Sequence, residues 1–321
     1  MTTTATLVSV VIPCWNAAAS IAETIESVLV QSGVDAEIVL VDDGSDDDSA
    51  EIARAAAGPA LRILRQRNLG VSRARETGTR AAGGSFIQYL DADDLLEPDT
   101  LRARLDALSR TNADVAYCDW IRWCRQPDGA FAGDDVVSRI LGDRPDVELL
   151  VDAWWPPGAV LYRRSIVDRI GGWRDDLPVI QDARFLLDAA LQGGRFVHVD
   201  AVGMKYRVAG DESVSRRNPR AFHDDCYRNA ADLHASWAEG GQLDEARRRA
   251  LVSVYAYLAR AFFELDRARF RDVVLRLQQL EPQFVPERPP ALRALSRLMG
   301  YPAAEHLAKA WRDLKTWVPS N

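Results

Sequence analysis

The stretch S-F-I-Q-Y-L-D-A-D-D, residues 85–94, joins an apolar run to three carboxylates within four positions. The apolar part has the composition of a buried strand, and the carboxylates come directly after it. An acidic turn that begins a helix would explain them, because Asp near a helix N-terminus satisfies free backbone N–H groups. A cation site is the alternative, and the rest of the chain decides between the two.

Two earlier β-branched runs end in the same way. Residues 7–13, L-V-S-V-V-I-P, stop at a proline before C-W-N, and residues 36–45, A-E-I-V-L-V-D-D-G-S, end in two carboxylates. Strands that alternate with helices predict a mostly parallel sheet between helices, an α/β fold in which ligands bind beyond the carboxyl ends of the strands. The helical patterns between these strands cover residues 20–33, with Ser20 and Glu23 as a capping box and Gly33 as terminator, 48–57 and 71–84.

The second half of the chain changes character twice. A helix over 97–110 and a strand over 113–120 are followed by a polar segment, 122–151, that indicates a loop with one short helix. Strands and helices then alternate again up to about residue 208. From residue 218 onward long helical patterns prevail, which predicts an α-helical C-terminal region over residues 218–321.

Composition narrows the class of protein. The chain has 321 residues, 47% hydrophobic and 27% charged, with a net charge of −7. That charge argues against a nucleic-acid partner, which needs a basic surface. The first residues lack a basic segment and a long apolar run, so we expect neither a signal peptide nor a membrane span. Four cysteines without C-x-x-C spacing favour free thiols over zinc, and we expect a cytoplasmic protein, with the inner face of the membrane left open.

Several motifs together resemble the inverting family 2 glycosyltransferases with the GT-A fold. They occur in order from Val8 to about Arg207: V-S-V-V-I-P-C-W-N, I-V-L-V-D-D-G-S, N-L-G-V-S-R-A-R, L-D-A-D-D and P-V-I-Q-D-A-R-F. The resemblance implies a GT-A catalytic domain over residues 1–217. Its nucleotide-sugar half covers about 1–97 and its acceptor half about 98–217.

The resemblance also implies which residues bind the nucleotide-sugar donor. The strand-end loops and the N-L-G-V-S-R segment supply most of them, and a loop over 207–217 would close over the diphosphate with Ser213 and Ser215. Strand-ending turns and helix caps remain the alternative explanation for several of these positions. Glu76 stands where relatives more often have Asn. The implied donor-binding residues are Pro13, Asn16, Asp42, Asp43, Asn68, Gly70, Arg73, Asp91 and Arg207.

The acidic stretch matches the D-x-D motif of the family, and this match favours a cation site over an acidic turn that begins a helix. Asp93 is then expected to bind Mg²⁺ or Mn²⁺ directly, with Asp91 helping through the ribose or a metal-bound water, while Asp94 supports them or caps a helix. Asp182 occupies the position of the general base. Gln181 replaces the Glu that usually precedes it.

The acceptor side is implied less specifically. The segment W-W-P-P-G-A-V, residues 154–160, borders the acceptor in similar enzymes, so Trp154, Trp155 and Gln181 are acceptor candidates. Aromatic packing in the core is an equal alternative for both tryptophans. His198 lies in an alternating apolar pattern and is expected to be a strand residue instead of a ligand.

These expectations define a metal-dependent inverting glycosyltransferase. It would move a sugar from a nucleotide-diphosphate sugar to an acceptor hydroxyl in polysaccharide, glycolipid or glycoconjugate synthesis. A catalytically silent scaffold acting through its helical tail is the alternative. A sugar nucleotidyltransferase or an NAD enzyme would need a glycine-rich loop after the first strand, and P-C-W-N-A-A-A-S lacks one. Peripheral membrane contact and self-association through the C-terminal helices stay open.

Overall fold

A computed structural model describes residues 6–208 and 217–317, with side chains up to residue 311. Contacts divide the chain into two compact units, Met1–Asp225 and Cys226–Asn321. The division lies within helix α8, Pro219–Glu239, whereas the sequence places the boundary at residues 217/218.

The first unit consists of one sheet and its helices. The strands are β1 Val8–Cys14, β2 Ala36–Asp42, β3 Leu61–Arg65, β4 Phe86–Tyr89, β5 Leu95–Leu96, β6 Val115–Arg125, β7 Phe131–Val137, β8 Val160–Arg163 and β9 Phe196–Val208. The helices before α8 are α1 Ile21–Leu29, α2 Ser49–Ala57, α3 Val71–Ala81, α4 Thr100–Thr111, α5 Pro145–Val151, α6 Arg164–Ile170 and α7 Gln181–Leu191. Two short 3₁₀ turns cover Gly58–Ala60 and Pro157–Ala159.

The sheet is mixed, with the order β3-β2-β1-β4-β8-β6-β9-β5 and β7 paired to β6. The predicted parallel arrangement describes β3-β2-β1-β4 and the β6–β9 pair. Strands β8, β5 and β7 instead pair antiparallel with their neighbours. The α/β prediction is therefore confirmed, and β4, which leads to the acidic stretch, lies where the parallel half meets an antiparallel strand.

The segment over 122–151 contains more regular structure than the sequence indicates. Strand β6 continues to Arg125 and turns back as β7, after which α5 follows. This hairpin carries exposed polar residues on β7, so it lacks the apolar alternation from which a strand is recognised.

Close packing of α3 against the sheet depends on Gly78. A Cβ at this position would lie 2.4 Å from Cγ1 of Val11 in β1 and 3.2 Å from Cγ2 of Val41 in β2. The missing side chain lets the helix approach two strands that are almost wholly buried. The same helix carries Arg75 towards the carboxyl end of β4.

Helix α1 fixes the acidic stretch instead of forming the predicted capping box. Ser20 precedes the helix, but its side chain makes no capping hydrogen bond. Its hydroxyl and that of Thr24 both donate to the carbonyl of Ala92, at 2.9 and 3.0 Å. Glu23, the other predicted member of the box, pairs with Arg207. The hydroxyls of Ser20 and Thr24 thus hold the turn between Asp91 and Asp93 in place.

The second unit is helical, as predicted from the long amphipathic patterns. After α8 come α9 Glu245–Leu265, α10 Arg267–Leu280, α11 Pro290–Met299 and α12 Tyr301–Trp317. Asp244 and Asp266 cap α9 and α10 by accepting hydrogen bonds from backbone N–H groups. Its buried apolar residues include Leu251, Leu258, Phe262, Phe270, Val273 and Leu277. Within the described ranges, no helix has the length and apolar character that crossing a membrane requires.

Candidate active site

The loops after β1 and β2 are tied to each other at the carboxyl edge of the sheet. Asn16 adopts a left-handed conformation, with φ of 50°, and its backbone N–H donates to Oγ of Ser45 at 3.0 Å. Its side-chain oxygen accepts from the backbone of Asp46 at 2.9 Å. Asn16 therefore joins the P-C-W-N loop to the D-D-G-S loop. Pro13 is buried in β1, opposite Val41.

Asp42 and Asp43 are both almost fully buried, and they bind protein groups. Asp43 accepts hydrogen bonds from Gln66 Nε2 at 2.6 Å and from the backbone of Leu69 and Gly70 at 2.9 and 2.8 Å. Asp42 accepts from the backbone of Ser45 at 2.8 Å and lies 3.4 Å from Arg65 Nε. Asp43 thereby fixes the N-L-G loop at the carboxyl end of β2.

The N-L-G loop leads into α3 with an exposed surface. Asn68 and Gly70 are solvent-exposed, and Gly70 has a φ of 88°, which favours glycine. Arg73 is exposed and forms an ion pair with Asp175. These three residues predicted for the donor are thus accessible to solvent.

The acidic stretch forms a tight turn in which the carboxylates differ in exposure. Asp91 is half-buried, Asp93 is exposed and Asp94 is buried. Desolvation by the surrounding protein atoms, followed by the charge of Asp91, raises the pKa of Asp93 to about 6. Burial, followed by the charges of Asp93 and Asp91, raises the pKa of Asp94 well above its ordinary value. One oxygen of Asp94 accepts a hydrogen bond from the backbone N–H of Arg207 at 2.8 Å, which opposes this shift. The site thus concentrates negative charge that a cation would relieve.

Arg75 is the buried cation of the site, and it is 1% exposed. Its Nη2 donates to Oδ1 of Asp91 at 2.5 Å, and its guanidinium lies 4.5 Å from the ring centroid of Trp173. Trp173 in turn stacks on Phe185 with centroids 4.1 Å apart. Nε and Nη1 of Arg75 are buried without a hydrogen-bond partner among the described residues. A buried guanidinium with free donors is a suitable group for an anionic ligand.

Asp182 lies in the first turn of α7 and faces the same charges. Its Oδ2 accepts a hydrogen bond from Nε1 of Trp154 at 2.9 Å, and Oδ1 accepts from the backbone of Ala183 at 2.8 Å. Burial raises the pKa of Asp182, while the charge of Arg75 and the hydrogen bond from Trp154 oppose that shift. A carboxylate with a raised pKa and a fixed orientation is suited to accept a proton.

A cluster of three aromatic rings connects the acidic stretch to Asp182. Trp120, Trp154 and Tyr206 lie edge to face, with centroids 5.5 to 5.6 Å apart in each pair. Burial raises the pKa of Tyr206, and the carboxylates of Asp94, Asp91, Asp182 and Asp93 add to this effect. Tyr206 therefore keeps its proton and faces all four of these carboxylates.

A cavity of about 410 Å³ adjoins this cluster and reaches the tryptophan that binds Asp182. Its rim includes Arg139, which donates to the backbone and the carboxylate of Asp152. Trp155 also lines it but is 2% exposed and packs edge-on against Tyr117. The core-packing alternative thus describes Trp155, whereas Trp154 contacts Asp182. The lining residues are Trp120, Val137, Ser138, Arg139, Asp152, Trp154 and Trp155.

Two buried side chains anchor the W-W-P-P-G segment. Gln88 of β4 donates to the carbonyl of Pro157 at 3.0 Å, and Arg104 of α4 donates to the carbonyl of Gly158 at 2.9 Å. Both residues are 0% exposed. Trp154 is therefore held close to Asp182 by the central strand that also carries the acidic stretch.

Arg207 lies close enough to the acidic stretch for its charge to lower the pKa of Asp93 and of Asp94, against the effect of burial. The guanidinium of Arg207 also binds Glu23 at 2.7 Å and lies over Phe131, and the backbone N–H of Arg207 donates to Asp94 at 2.8 Å. Its Nε is buried without a hydrogen-bond partner among the described residues. Gln181 begins α7, and its Oε1 is buried without a hydrogen-bond partner in the described part of the chain. Ser213 and Ser215 lie outside the described residues.

His198 lies in β9, as predicted, and its Nε2 is 2.7 Å from Asp119. Cys14 is a buried free thiol whose pKa burial raises to about 11, which does not suit a nucleophile.

The sequence analysis includes Arg75 in the N-L-G-V-S-R-A-R motif without naming it as a site residue, and it does not single out Tyr206. A signal for Arg75 exists, since it lies with Ser72 and Gly78 on the otherwise small, buried face of α3. A charge in that position indicates a functional group or a buried ion pair. Tyr206 lies more than 110 residues from the acidic stretch and has no such local signal.

The carboxylates fit a divalent cation whose coordination shell is completed by a bound ligand. Among the described residues, no group of three or more His, Cys, Asp or Glu side chains is arranged to hold a metal by itself. Mg²⁺ typically uses one or two carboxylates and takes its remaining ligands from phosphate and water. Asp91, which pairs with Arg75, and Asp93, whose raised pKa the charge of Arg207 opposes only in part, suit that mode of binding.

Comparisons with known proteins agree on one family. The family model described as Glycosyl transferase family 2 matches residues 9–171. The glycosyltransferase EpsJ of Bacillus subtilis is 30% identical over 237 residues, which cover 71% of this chain and 66% of EpsJ. The protein MT1568 of Mycobacterium tuberculosis is 32% identical over 233 residues, 66% of this chain and 72% of that protein. The chain thus spans about two thirds of the length of these relatives.

Solved structures share the fold at low sequence identity. Residues 1–349 of Staphylococcus aureus TarS, in complex with UDP-GlcNAc, superpose with a TM-score of 0.67 at 16% identity over 95% of this chain and 91% of that one. The mannosyltransferase PcManGT of Pyrobaculum calidifontis, in complex with GDP-Man and Mn²⁺, gives 0.56 at 17% identity over 97% and 88%. Together with the strand-end carboxylates, these matches show that the chain is a glycosyltransferase that belongs to family 2 and has the GT-A fold.

Proposed function

We propose that the protein is a metal-dependent inverting glycosyltransferase that moves a sugar from a nucleoside-diphosphate sugar to an acceptor hydroxyl. The observation that carries the proposal is the proximity of the acidic stretch, with Asp91 and Asp93, to Asp182, with the buried guanidinium of Arg75 bound to Asp91 and close enough to lower the pKa of Asp182. It combines a cation site, a group for the diphosphate and a base. This arrangement and the family favour an enzyme over a catalytically silent scaffold.

The donor is a nucleoside-diphosphate sugar, since structural neighbours are solved with UDP-GlcNAc, UDP or GDP-Man. Its nucleoside would lie at the ends of β1 and β2, within the loops that Asn16 and Asp43 hold together. Asn68, Gly70 and Arg73 would form its outer wall. Among relatives, the chondroitin synthase of Escherichia coli is 40% identical over 102 residues, which are 31% of this chain and 15% of that protein. We therefore place the reaction in polysaccharide synthesis.

Asp93 and Asp91 would hold Mg²⁺ or Mn²⁺ together with the diphosphate. The cation, when bound, would supply Lewis acidity that stabilises the charge on the departing nucleoside diphosphate. Arg75 supports the same charge from the protein side through the donors that Asp91 leaves free. Tyr206 keeps its hydroxyl protonated beside these carboxylates and closes the site towards the aromatic cluster.

Asp182 is the general base in this proposal. The acceptor hydroxyl oxygen attacks the anomeric carbon as its proton passes to Asp182, and the bond to the nucleoside diphosphate breaks on the opposite side. A single displacement of this kind inverts the anomeric configuration. Trp154 directs the carboxylate through its hydrogen bond to Oδ2, which leaves the proton-accepting lone pairs in a fixed orientation.

The acceptor would enter beside Trp154, where the 410 Å³ cavity is large enough for a small ligand. Trp154 is the aromatic residue for the acceptor in this proposal, and Gln181 would add the unpaired amide oxygen at the start of α7. Trp155 supports the wall from the core instead of contacting the sugar.

Donor turnover tests the proposal. We would measure nucleoside diphosphate release from UDP-, GDP- and dTDP-sugars with Mn²⁺ or with EDTA, using the wild type, Asp182→Asn and Asp106→Asn. Asp106 is an exposed residue on α4 and serves as the matched control. We expect release from one donor class, only with metal, in the wild type and the control but not in Asp182→Asn. Metal-independent release, or full release by Asp182→Asn, would contradict the mechanism.

A further inference from the structure

The guanidinium of Arg75 is held by two different elements, one at its edge and one at its face. At the edge, Nη2 donates to Oδ1 of Asp91 at 2.5 Å. At the face, the central carbon of the guanidinium lies over the indole of Trp173, 4.5 Å from the ring centroid. An edge-on hydrogen bond fixes the direction of a planar guanidinium, and a ring against its face fixes the plane. The two contacts together define the orientation of this buried cation.

Trp173 is itself held by the helix that carries Asp182. Its indole stacks on Phe185 of α7 with centroids 4.1 Å apart and an interplanar angle of 7°. Tyr89 of β4 meets both rings edge to face, at 4.8 Å and 5.5 Å. Phe185 follows Asp182 by three residues, so the two side chains are neighbours on the surface of α7. Trp173 therefore links the guanidinium on α3 to the helix of the proposed base.

The loop between α6 and α7, which contains Trp173, is attached to α3 at two further points. Oγ of Ser72 donates to the carbonyl of Arg174 at 3.0 Å. The guanidinium of Arg73 forms an ion pair with Asp175. Both contacts involve the first turn of α3, beside the buried guanidinium. The position of the indole is thus fixed relative to α3 as well as to α7.

Packing of the core alone does not explain an indole at this position. Tyr89 and Phe185 are 0% and 2% exposed, whereas Trp173 is only half-buried and lines a cavity of about 260 Å³. A residue that served to fill the core would leave less space beside it. The large face of an indole does suit a guanidinium, because the ring quadrupole attracts a cation most strongly where the cation is desolvated.

We propose that Trp173 is a positioning residue for the transfer reaction, which acts through Arg75 by tying the orientation of its guanidinium to α7. The inference rests on the proposed function, in which this guanidinium supports the charge of the departing nucleoside diphosphate. Without the indole face, the side chain of Arg75 gains rotamer freedom, and its charge lies in the productive place for a smaller fraction of the time. Trp173 touches neither the donor nor the acceptor in this account.

A double-variant cycle tests whether Trp173 acts through Arg75. Nucleoside diphosphate release with Mn²⁺, from the donor that the wild type turns over, gives kcat for Trp173→Leu, Arg75→Gln and the double variant. Trp173→Phe keeps an aromatic face and serves as the conservative variant. Trp237→Leu is the matched control, because Trp237 also lies against a guanidinium, that of Arg247 at 4.8 Å, but in the helical unit.

We expect Arg75→Gln to lower kcat by about 10²-fold, as loss of one preorganised charge does, and Trp173→Leu by about tenfold. The double variant should match Arg75→Gln within about threefold, since an indole that acts through Arg75 has no effect once Arg75 is gone. Trp173→Phe should stay within about threefold of the wild type and Trp237→Leu within about twofold. Additive losses, about 10³-fold in the double variant, or full activity of Trp173→Leu would overturn the proposal.

Two further measurements keep the result interpretable. Circular dichroism and thermal melts identify variants that do not fold, and Trp173→Met replaces Trp173→Leu in the cycle if the latter is misfolded. If neither of these variants folds, Trp173 has a structural role and the proposal is overturned. Asp182→Asn is assayed in parallel to separate the two hypotheses. Its loss of turnover together with an additive cycle would reject the role of Trp173 alone, whereas full turnover by Asp182→Asn would contradict the proposed function.

Discussion

Replacing Asp93 by Asn should stabilise the metal-free protein at neutral pH. Desolvation and the neighbouring Asp91 raise the pKa of Asp93 from 3.8 to about 6, so the folded state binds this proton more tightly than the unfolded state does. Its favourable contribution is fully present below about pH 4 and is lost as the pH rises to 6. At pH 7 the ionised Asp93 therefore lowers the free energy of unfolding, and the neutral Asn does not.

The size of this effect follows from the shift. A change from 3.8 to about 6 corresponds to about 3 kcal/mol of differential interaction. Because Asp93 is exposed, solvent and counterions screen most of it, and we expect about 1 kcal/mol. For a unit of this size that corresponds to about 3 °C in Tm.

Urea unfolding at pH 7 and pH 4 in EDTA measures the effect. We expect Asp93→Asn to exceed the wild type by about 1 kcal/mol at pH 7 and to match it at pH 4. Asp106→Asn, on the exposed side of α4, should show no such pH-dependent gain. A variant that is less stable than the wild type at pH 7, or equally stabilised at both pH values, would refute the electrostatic reasoning.

Three further predictions concern the base, its tryptophan and the packing of α3. Asp182→Asn should lower kcat by about 10²- to 10⁴-fold while nucleotide-induced stabilisation persists, as single-turnover assays and thermal melts would show; loss of both together would assign Asp182 a structural role. Trp154→Phe removes the hydrogen bond that lowers the pKa of Asp182, so the acidic limb of the kcat profile should move to higher pH and kcat should fall by about tenfold. An unmoved limb would show that the indole N–H does not act on the base. Gly78→Ala places a Cβ 2.4 Å from Val11 and should cost about 1 to 3 kcal/mol in urea unfolding, whereas a gain from helix propensity would contradict the packing of α3 on β1.

Local patterns sufficed for the parts of the fold that are buried and regular. Strands β1 and β2 are apolar along their whole length, and each ends at polar residues, so both their type and their functional end could be predicted. Hairpin β6–β7 could not, because β7 lies at an exposed edge where polar side chains cost nothing. The antiparallel pairing of β8 with β4 depends on chain path and leaves no local signature.

The candidate site likewise has a part that local sequence patterns predict and a part that they do not. The acidic stretch and Asp182 are recognised as motifs. The side chains that hold them in place come from distant positions in the sequence. Trp154 is 28 residues from Asp182, and Ser20 is 72 residues from Ala92. A motif also does not show which hydrogen-bonding atoms remain available. Asp43 is the clearest case, because the chain itself supplies its partners from residues 66–70.

The most direct test of the central claim is a thermal-shift titration of the wild type and Asp93→Ala with UDP, GDP and dTDP, each with and without Mn²⁺. We predict that one nucleotide stabilises the wild type only when Mn²⁺ is present, by about 2.7 kcal/mol at a hundred times its Kd, and that Asp93→Ala abolishes this gain. Stabilisation that does not require the metal, or that survives in Asp93→Ala, would contradict a cation held jointly by the acidic stretch and the diphosphate.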